Sequence, residues 1–388
     1  MIPTRYYLTI LSILPMICSQ VFWAFQALKA ITHRPHHFRL WIAGVSLVGA
    51  LMFAGFLSMF GVGYGYVPRA AAVALQTAVN LWGMVSTAGM GIFLATKLVG
   101  SSLPKPFRQE RRNTLRMLAG AAVLSPAVPI GFGSFVERTS LEVCEHAIDV
   151  PGLSPDLDGL RLLLLSDIHM GAFLNARSLE RVIAQSNELK PAIAFITGDL
   201  ISVAEDPLDS CLELLSRVRS DYGLYGCLGN HEVYAEAEDY TTKAGRRLGI
   251  DFLRAETRSL RIGSAELNIA GVDYEPFERR GHYLRNASGL VRPGALNVLL
   301  SHNPDVFPAA ARLGYDLMLA GHTHGGQVTF EILNRHLNPA RILTPYVRGL
   351  YRQGNSSCYV TRGIGTLGVP VRLGAKPEIS LLTLRHSA

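Results

Sequence analysis

Acidic side chains are nearly missing from the first third of this 388-residue chain. Residues 1–139 carry 2 of the 30 Asp and Glu but 12 of the 37 Lys and Arg, which leaves residues 140–388 slightly acidic, with 28 acidic against 25 basic residues. The net charge of +7 and the high pI therefore belong to the first segment. A basic enzyme surface built for nucleic acid is excluded, and no nucleic-acid partner is expected. Thiols are sparse as well. Cys18, Cys144, Cys211, Cys227 and Cys358 form no Cys-x-x-Cys pair, which argues against a thiolate zinc site or a dithiol redox motif. No internal repeat or low-complexity tract is present.

What the first segment has instead is long uncharged runs: Tyr6 to Leu28, Leu40 to Pro68, Ala70 to Thr96 and Met117 to Val136. A bilayer core takes roughly 20 apolar residues per helix, so the runs predict an all-α transmembrane region over 1–139, with helices at 6–28, 40–61, 72–96 and 117–136. The fourth is interrupted by Pro126 and Pro129. Basic residues mark the first loop (Lys29, Arg34, Arg39) and the third (Lys97, Lys105, Arg108, Arg111, Arg112, Arg116). Positive loops stay cytoplasmic, so a spanning fourth helix would deliver residues 140–388 to the outer face. Glu110-Arg111-Arg112-Asn-Thr-Leu-Arg116 also resembles a twin-arginine export signal, although Thr114 stands where an aromatic is commoner.

From residue 140 onward the pattern changes to short apolar runs, each closed by a turn and a polar residue. Leu160 to Leu165 precedes Asp167 and His169; Ala192 to Thr197 precedes Asp199; Gly223 to Leu228 precedes Asn230 and His231. Leu296 to Leu300 precedes His302, and Asp316 to Ala320 precedes His322 and His324. Runs of this length read as buried strands. Helix-like stretches at Ala176 to Leu189, Pro207 to Val218 and Glu236 to Leu248 separate the first three. The polar residues thus fall at strand carboxyl ends, where open α/β sheets place their sites. Further β-like stretches at Arg258 to Ile262, Leu267 to Val272, Cys358 to Thr361 and Ile379 to Leu384 would supply a second sheet, and Leu141 to Val150 opens the domain.

Carboxylate oxygen with imidazole nitrogen suits first-row divalent ions, with Mn, Fe or Zn favoured. Two such ions roughly 3.5 to 4 Å apart can clamp the attacking and leaving oxygens of an in-line displacement. One carboxylate must then bridge them, and Asp199 is the candidate.

Asp-x-His, Gly-Asp, Gly-Asn-His-Glu, His and Gly-His-Thr-His, in this order, resemble the calcineurin-like metallophosphoesterase superfamily. Tyr359-Val-Thr-Arg-Gly-Ile-Gly-Thr, Val369-Pro-Val-Arg-Leu and Pro377-Glu-Ile are similar to its membrane-associated bacterial branch. The resemblance covers residues 140–388 and implies a four-layered α/β/β/α sandwich of two sheets. It implies that Asp167, His169, Asp199 and His324 bind one metal ion, that Asp199, Asn230, His302 and His322 bind a second, and that His231 is the catalytic histidine. The expected activity is hydrolysis of a phosphate mono- or diester through a metal-bridging hydroxide, with lipid-linked esters among the candidate substrates. The expected location is the cell inner membrane, multi-pass, in contact with the lipid bilayer and with the catalytic domain extracytoplasmic.

One departure stands out. The protein-phosphatase branch reads Gly-Asp-x-x-Asp, whereas here Gly198-Asp199-Leu-Ile-Ser202 puts Ser where a second Asp would orient the catalytic His. A phosphoprotein substrate is disfavoured, and Glu232 or a backbone carbonyl remains as the orienting partner of His231. Arg177, Arg348, Arg352 and Arg362 are candidates for stabilising phosphoryl charge. Tyr274, Phe277, Arg279, Arg280 and Tyr283, between core elements, are candidates for lining a substrate site. The alternatives are a lipid-linked pyrophosphatase resembling UDP-2,3-diacylglucosamine hydrolase and a non-catalytic membrane binding module.

Overall fold

The computed structural model describes residues 4–31, 38–58, 69–102, 109–285, 287–332 and 335–387. The chain divides into two compact units, Met1–Val136 with Gly368–Pro370, and Glu137–Leu367 with Val371–Ala388.

The first unit is helical: α1 (Thr4–Ile31), α2 (Phe38–Ser58), α3 (Arg69–Ser102), α4 (Gln109–Leu124) and α5 (Ala127–Phe135). Of the expected spans, 6–28 falls in α1 and 72–96 in α3, and the last three residues of 40–61 lie outside the described residues. The span 117–136 is divided, because the proline at Pro126 cannot donate into the helix and the chain turns at Ser125–Pro126 before α5 resumes. Two described helical stretches are long and apolar enough to cross a membrane, Ala71–Ser101 within α3 and Asn113–Thr139, which takes in most of α4 and all of α5 across that turn. The apolar side chains of the second are outward: Met117 is 75 % exposed, Leu118 61 % and Val128 76 %. An apolar surface of this kind is stable against lipid rather than water. Between α1 and α3 small and polar residues make the contact. Gln20 Nε2 donates to Ser86 Oγ at 2.7 Å and Trp23 Nε1 donates to the Ser86 carbonyl at 2.8 Å. Such bonds satisfy polar groups that hydrocarbon cannot.

The second unit runs β1 (Glu142–Pro151), β2 (Arg161–Leu165), α6 (Ala176–Glu188), β3 (Ile193–Thr197), α7 (Leu208–Leu215), β4 (Leu224–Cys227), α8 (Asn230–Tyr234), α9 (Glu238–Arg247), β5 (Ile250–Phe252), β6 (Glu256–Ile262) and β7 (Ala265–Gly271). It continues β8 (Leu296–Leu300), α10 (Phe307–Leu313), β9 (Leu317–Ala320), β10 (Phe330–Ile332), β11 (Arg335–Leu337), β12 (Gly349–Gln353), β13 (Ser356–Val360) and β14 (Glu378–Ser387). One six-stranded sheet has the order β1-β14-β2-β3-β4-β5, the other β12-β13-β9-β8-β7-β6, and β10 and β11 form a separate hairpin. The stretch Ile379 to Leu384, expected in the second sheet, instead lies in the first. As part of β14 it runs antiparallel to β2 and parallel to β1, because its two faces are both apolar and buried and complete that sheet's centre.

Alternation along the strands builds the layers. Leu162 and Leu164 of β2 point into a cluster with Leu267, Val298 and Leu319 of the second sheet. Leu163 and Leu165 point the other way, onto Leu179 and Ile183 of α6 and Leu212 of α7. On the far face of the second sheet, Leu299, Met318 and Val360 pack against Phe307 and Ala310 of α10. Three cores separate four layers, α/β/β/α. Parallel pairing of β2, β3 and β4, and of β8 and β9, aims the carboxyl ends of five strands from both sheets at one place.

Candidate metal centre

Asp167 and His169 follow β2, Asp199 follows β3, Asn230 and His231 open α8 directly after β4, His302 follows β8, and His322 and His324 follow β9. The backbone there is strongly bent: Asp167, His169, Asp199, His322 and His324 all have φ between 46° and 73°. Side chains other than glycine seldom adopt this left-handed region, and such strain collects at functional sites. It is held by hydrogen bonds between loops. Asp167 N donates to the Gly198 carbonyl and His169 N to the Asp199 carbonyl, both at 3.0 Å. His322 N donates to Asp167 Oδ1 at 3.0 Å. Only glycine fits at Gly321, since a side chain would overlap Ser166 Oγ and the Asp167 carboxylate.

Glu232 fastens the two central loops. Fully buried, it accepts from Gly229 N (2.8 Å), Asp199 N (2.9 Å) and Leu200 N (2.7 Å). It is therefore not the orienting partner of His231. That partner is the Ser202 carbonyl, which accepts from His231 Nδ1 at 2.6 Å and leaves Nε2 for the site. Ser202 also places its Oγ 3.0 Å from His169 Nδ1, and Asp206 Oδ2 accepts from Ser202 N at 2.9 Å. The serine that replaces the second Asp thus fixes two imidazoles. Of the two partners left open for His231 by the sequence, the backbone carbonyl is the one present; that Ser202 supplies it has no local sign, because any residue carries that atom.

Donor atoms converge in three overlapping groups: Asp167, His169 and His324; His169, Asp199 and His231; Asp199, His302 and His322. Within each, the donor atoms lie within 4.8 Å of one another. His324 Nε2 is 3.2 Å from His169 Nε2 and 3.4 Å from Asp167 Oδ1. His302 Nε2 is 3.1 Å from Asp199 Oδ2 and 3.1 Å from His322 Nδ1. Metal bonds of about 2.1 Å put neighbouring donors about 3.0 to 3.4 Å apart in octahedral or tetrahedral shells. The distances fit a shared cation. Asn230 adds a second sign: its Oδ1 is buried with no hydrogen-bond partner, a state that is rare unless an ion or water completes it. His302 Nδ1 donates to the Thr197 carbonyl at 2.6 Å, which frees Nε2 as a donor to metal.

Burial holds most of the imidazoles neutral, as ligands must be. It pulls His169 and His322 down to about 3 and His324 well below its usual range. Burial pushes Asp167 up to about 6. For His302 burial acts downward, but the Asp199 carboxylate outweighs it and holds the ring at about 9. Burial opposes charge on Asp199 too, yet His302 and His231 beside it hold that carboxyl well below the usual range.

Of the arginines considered for phosphoryl charge, Arg362 is paired with Glu378 (2.5 Å) and Glu142 (2.9 Å), and Arg352 with Asp149 (2.6 Å). Arg348 donates to the Gly374 carbonyl. The Tyr274 ring is 5.5 Å from the His322 ring and 6.1 Å from the His302 ring, at the wall of the site.

Residues 160–326 match the calcineurin-like phosphoesterase family. An uncharacterized metallophosphoesterase of Aquifex aeolicus is 30 % identical over 67 % of this chain and 97 % of its own length. The uncharacterized metallophosphoesterase YkuE of Bacillus subtilis is 29 % identical over 72 % of this chain and 99 % of its own. A transmembrane protein with metallophosphoesterase domain of Danio rerio is 31 % identical over 69 % of this chain, and the match spans only 62 % of that protein's length. The chain belongs to the calcineurin-like phosphoesterases: it is a metal-dependent phosphoric ester hydrolase whose first 139 residues hold two stretches long and apolar enough to cross a membrane.

Ser202→Ala removes only the Oγ contact and keeps the carbonyl that holds His231. Metal affinity should fall by roughly tenfold, the lower end for loss of a partner behind a ligand, as read by metal titration calorimetry. Stability against pH provides a second test. Below about pH 6.5 an unfolded chain protonates its imidazoles, whereas His169, His322 and His324 refuse protons when folded; of the three buried carboxylates at the centre, Asp167 and Glu232, both raised by burial, act in the opposite sense. Stability of the metal-free protein therefore falls on acidification. The melting temperature of chelator-treated protein should drop between about pH 6.5 and 4.5, and more gently upward toward about pH 9 as His302 loses its proton.

Proposed function

We propose that the chain is a dinuclear phosphoesterase acting on phosphate mono- or diesters, with Asp167, His169, Asp199 and His324 holding one divalent ion and Asp199, Asn230, His302 and His322 the other. One observation carries the reading: Asp199 Oδ2 lies 3.5 Å from His169 Nε2 and 3.1 Å from His302 Nε2, so a single carboxylate oxygen belongs to both donor groups. The mixed O and N donor set suits Mn, Fe or Zn. Bound there, two ions would supply a nucleophile at neutral pH and neutralise phosphoryl charge.

The chain's own groups do the rest. His231 is tethered through Nδ1 to the Ser202 carbonyl, and its ring stands 4.8 Å from the His169 ring, nearly perpendicular. This supports Nε2 as the atom that delivers a proton to the departing oxygen. Tyr274, kept neutral by burial, flanks His322 and narrows access to the site. The protein would be multi-pass in the inner membrane with the catalytic unit extracytoplasmic, a reading supported by the basic loops around Lys29–Arg39 and Lys97–Arg116. A lipid-linked ester is then a natural substrate class.

Asp199→Asn should lower metal content at both positions and remove most activity, measured by elemental analysis beside hydrolysis of a chromogenic phosphodiester; two full equivalents of metal in that variant would sink the bridging role. His231→Ala should keep both ions and lose roughly 10²- to 10⁴-fold in rate. For topology, an alkaline phosphatase fused after Ala388 should be active and a fluorescent protein there dark. The opposite pattern would put the catalytic unit in the cytoplasm and favour the nucleotide-lipid pyrophosphatase.

A further inference from the structure

Arg372 is the largest fully buried side chain among the described residues. It lies between β13 and β14, and among the described residues no ion pair involves it, in contrast to Arg362 with its two carboxylates. Burial pulls its guanidinium down from the usual range to about 9, so it is still a cation at neutral pH. A buried charge without a carboxylate is costly unless hydrogen bonds replace its hydration. Here they do. Nε donates to the Gly365 carbonyl and Nη1 to the Ala375 carbonyl, both at 2.9 Å; Nη2 donates to the carbonyls of Arg362 (2.9 Å) and Gly363 (3.1 Å) and again to Gly365.

The turn that Arg372 gathers is the back wall of one donor group. Ile364 N donates to the Ser166 carbonyl at 3.0 Å, and Gly365 N donates to the Asp167 carbonyl at 2.7 Å. A side chain added at Gly363 would come within 2.6 Å of Asp167 Cβ. On its other side Arg372 Nη2 is 3.4 Å from His324 Nδ1. One guanidinium therefore touches the turn that holds Asp167 and the ring of His324, two members of the same donor group. No such link reaches Asn230, His302 or His322 among the bonds of the described residues.

We propose that Arg372 is the positioning residue for the half of the centre formed by Asp167, His169 and His324, fixing Asp167 from behind through the turn that its planar fork gathers and packing against the His324 ring without a hydrogen bond to it. The inference rests on the dinuclear reading above. Only a guanidinium can span these carbonyls at once, since a lysine ammonium is a point charge with three donors.

The test uses full-length protein in detergent, stripped and then titrated with Mn²⁺ by calorimetry, with metal content by elemental analysis. Wild-type protein should take two equivalents. Arg372→Lys should weaken one of the two by about tenfold or more, the scale for losing a group behind a metal ligand, and leave the other within about twofold. Arg372→Met should abolish the weakened site. Circular dichroism and the melting temperature of the stripped variants separate a local from a general loss, and if Arg372→Met does not fold, Arg372→Lys alone decides. Both sites at wild-type affinity in either folded variant, or equal weakening of both, would overturn the assignment. Fewer than two equivalents in the wild type would instead overturn the dinuclear reading.

Discussion

The centre depends on the Asp199 carboxylate and on how little freedom it has. Its backbone is in the left-handed region at φ 56°, its N–H is held by Glu232, its Oδ1 accepts from His231 N at 2.9 Å, and its Oδ2 faces imidazoles on both sides. Remove the Glu232 bonds and three buried N–H groups lose their acceptor, each at about 1 to 3 kcal/mol. The loops after β3 and β4 would then separate. Because β3 lies in one sheet while His302 follows β8 in the other, Asp199 is also where the two sheets' ligands meet. The sandwich brings the strand ends together, and this residue decides whether they form one site or two.

Much of this was legible in the sequence because it is local. Apolar runs of five or six residues ending in Gly-Asp or Gly-Asn-His can only be buried strands running into tight turns, and the structure puts β3 and β4 there. Helices α6, α7 and α9 also fall inside the stretches between them. The less legible features are those that depend on non-local contact. The apolar pattern of β14 is the same whichever sheet it joins, so its insertion between β1 and β2 had no local sign. The role of Ser202 lies in a carbonyl. Arg372 looks like any arginine after Pro-Val until its neighbours are known to be carbonyls rather than water.

Replacing the second Asp by Ser202 alters more than one bond. A carboxylate behind an imidazole stabilises its protonated form; the neutral Ser202 carbonyl fixes the His231 ring without that bias. The ring remains oriented, while burial and the Asp199 carboxylate set the charge of the imidazoles around it. This is consistent with burial holding His169, His322 and His324 neutral while Asp199 stays ionised.

The electrostatic balance of the site points the same way. Two carboxylates, Asp167 and Asp199, face four ring nitrogen donors, and the Arg372 cation stands behind them; two divalent ions would leave the assembly strongly positive. In a buried site that excess is poorly screened, and it attracts an anion. Stability alone does not require such a concentration of charge, for an apolar packing of the same volume would be as stable or more so. Strained ligand backbones and an unpartnered Asn230 oxygen are each unfavourable in an empty fold. A divalent cation held by the donor groups would offset both, whereas the Arg372 guanidinium is already satisfied by main-chain carbonyls, so the ligand loops and not the buried arginine carry the dependence on metal.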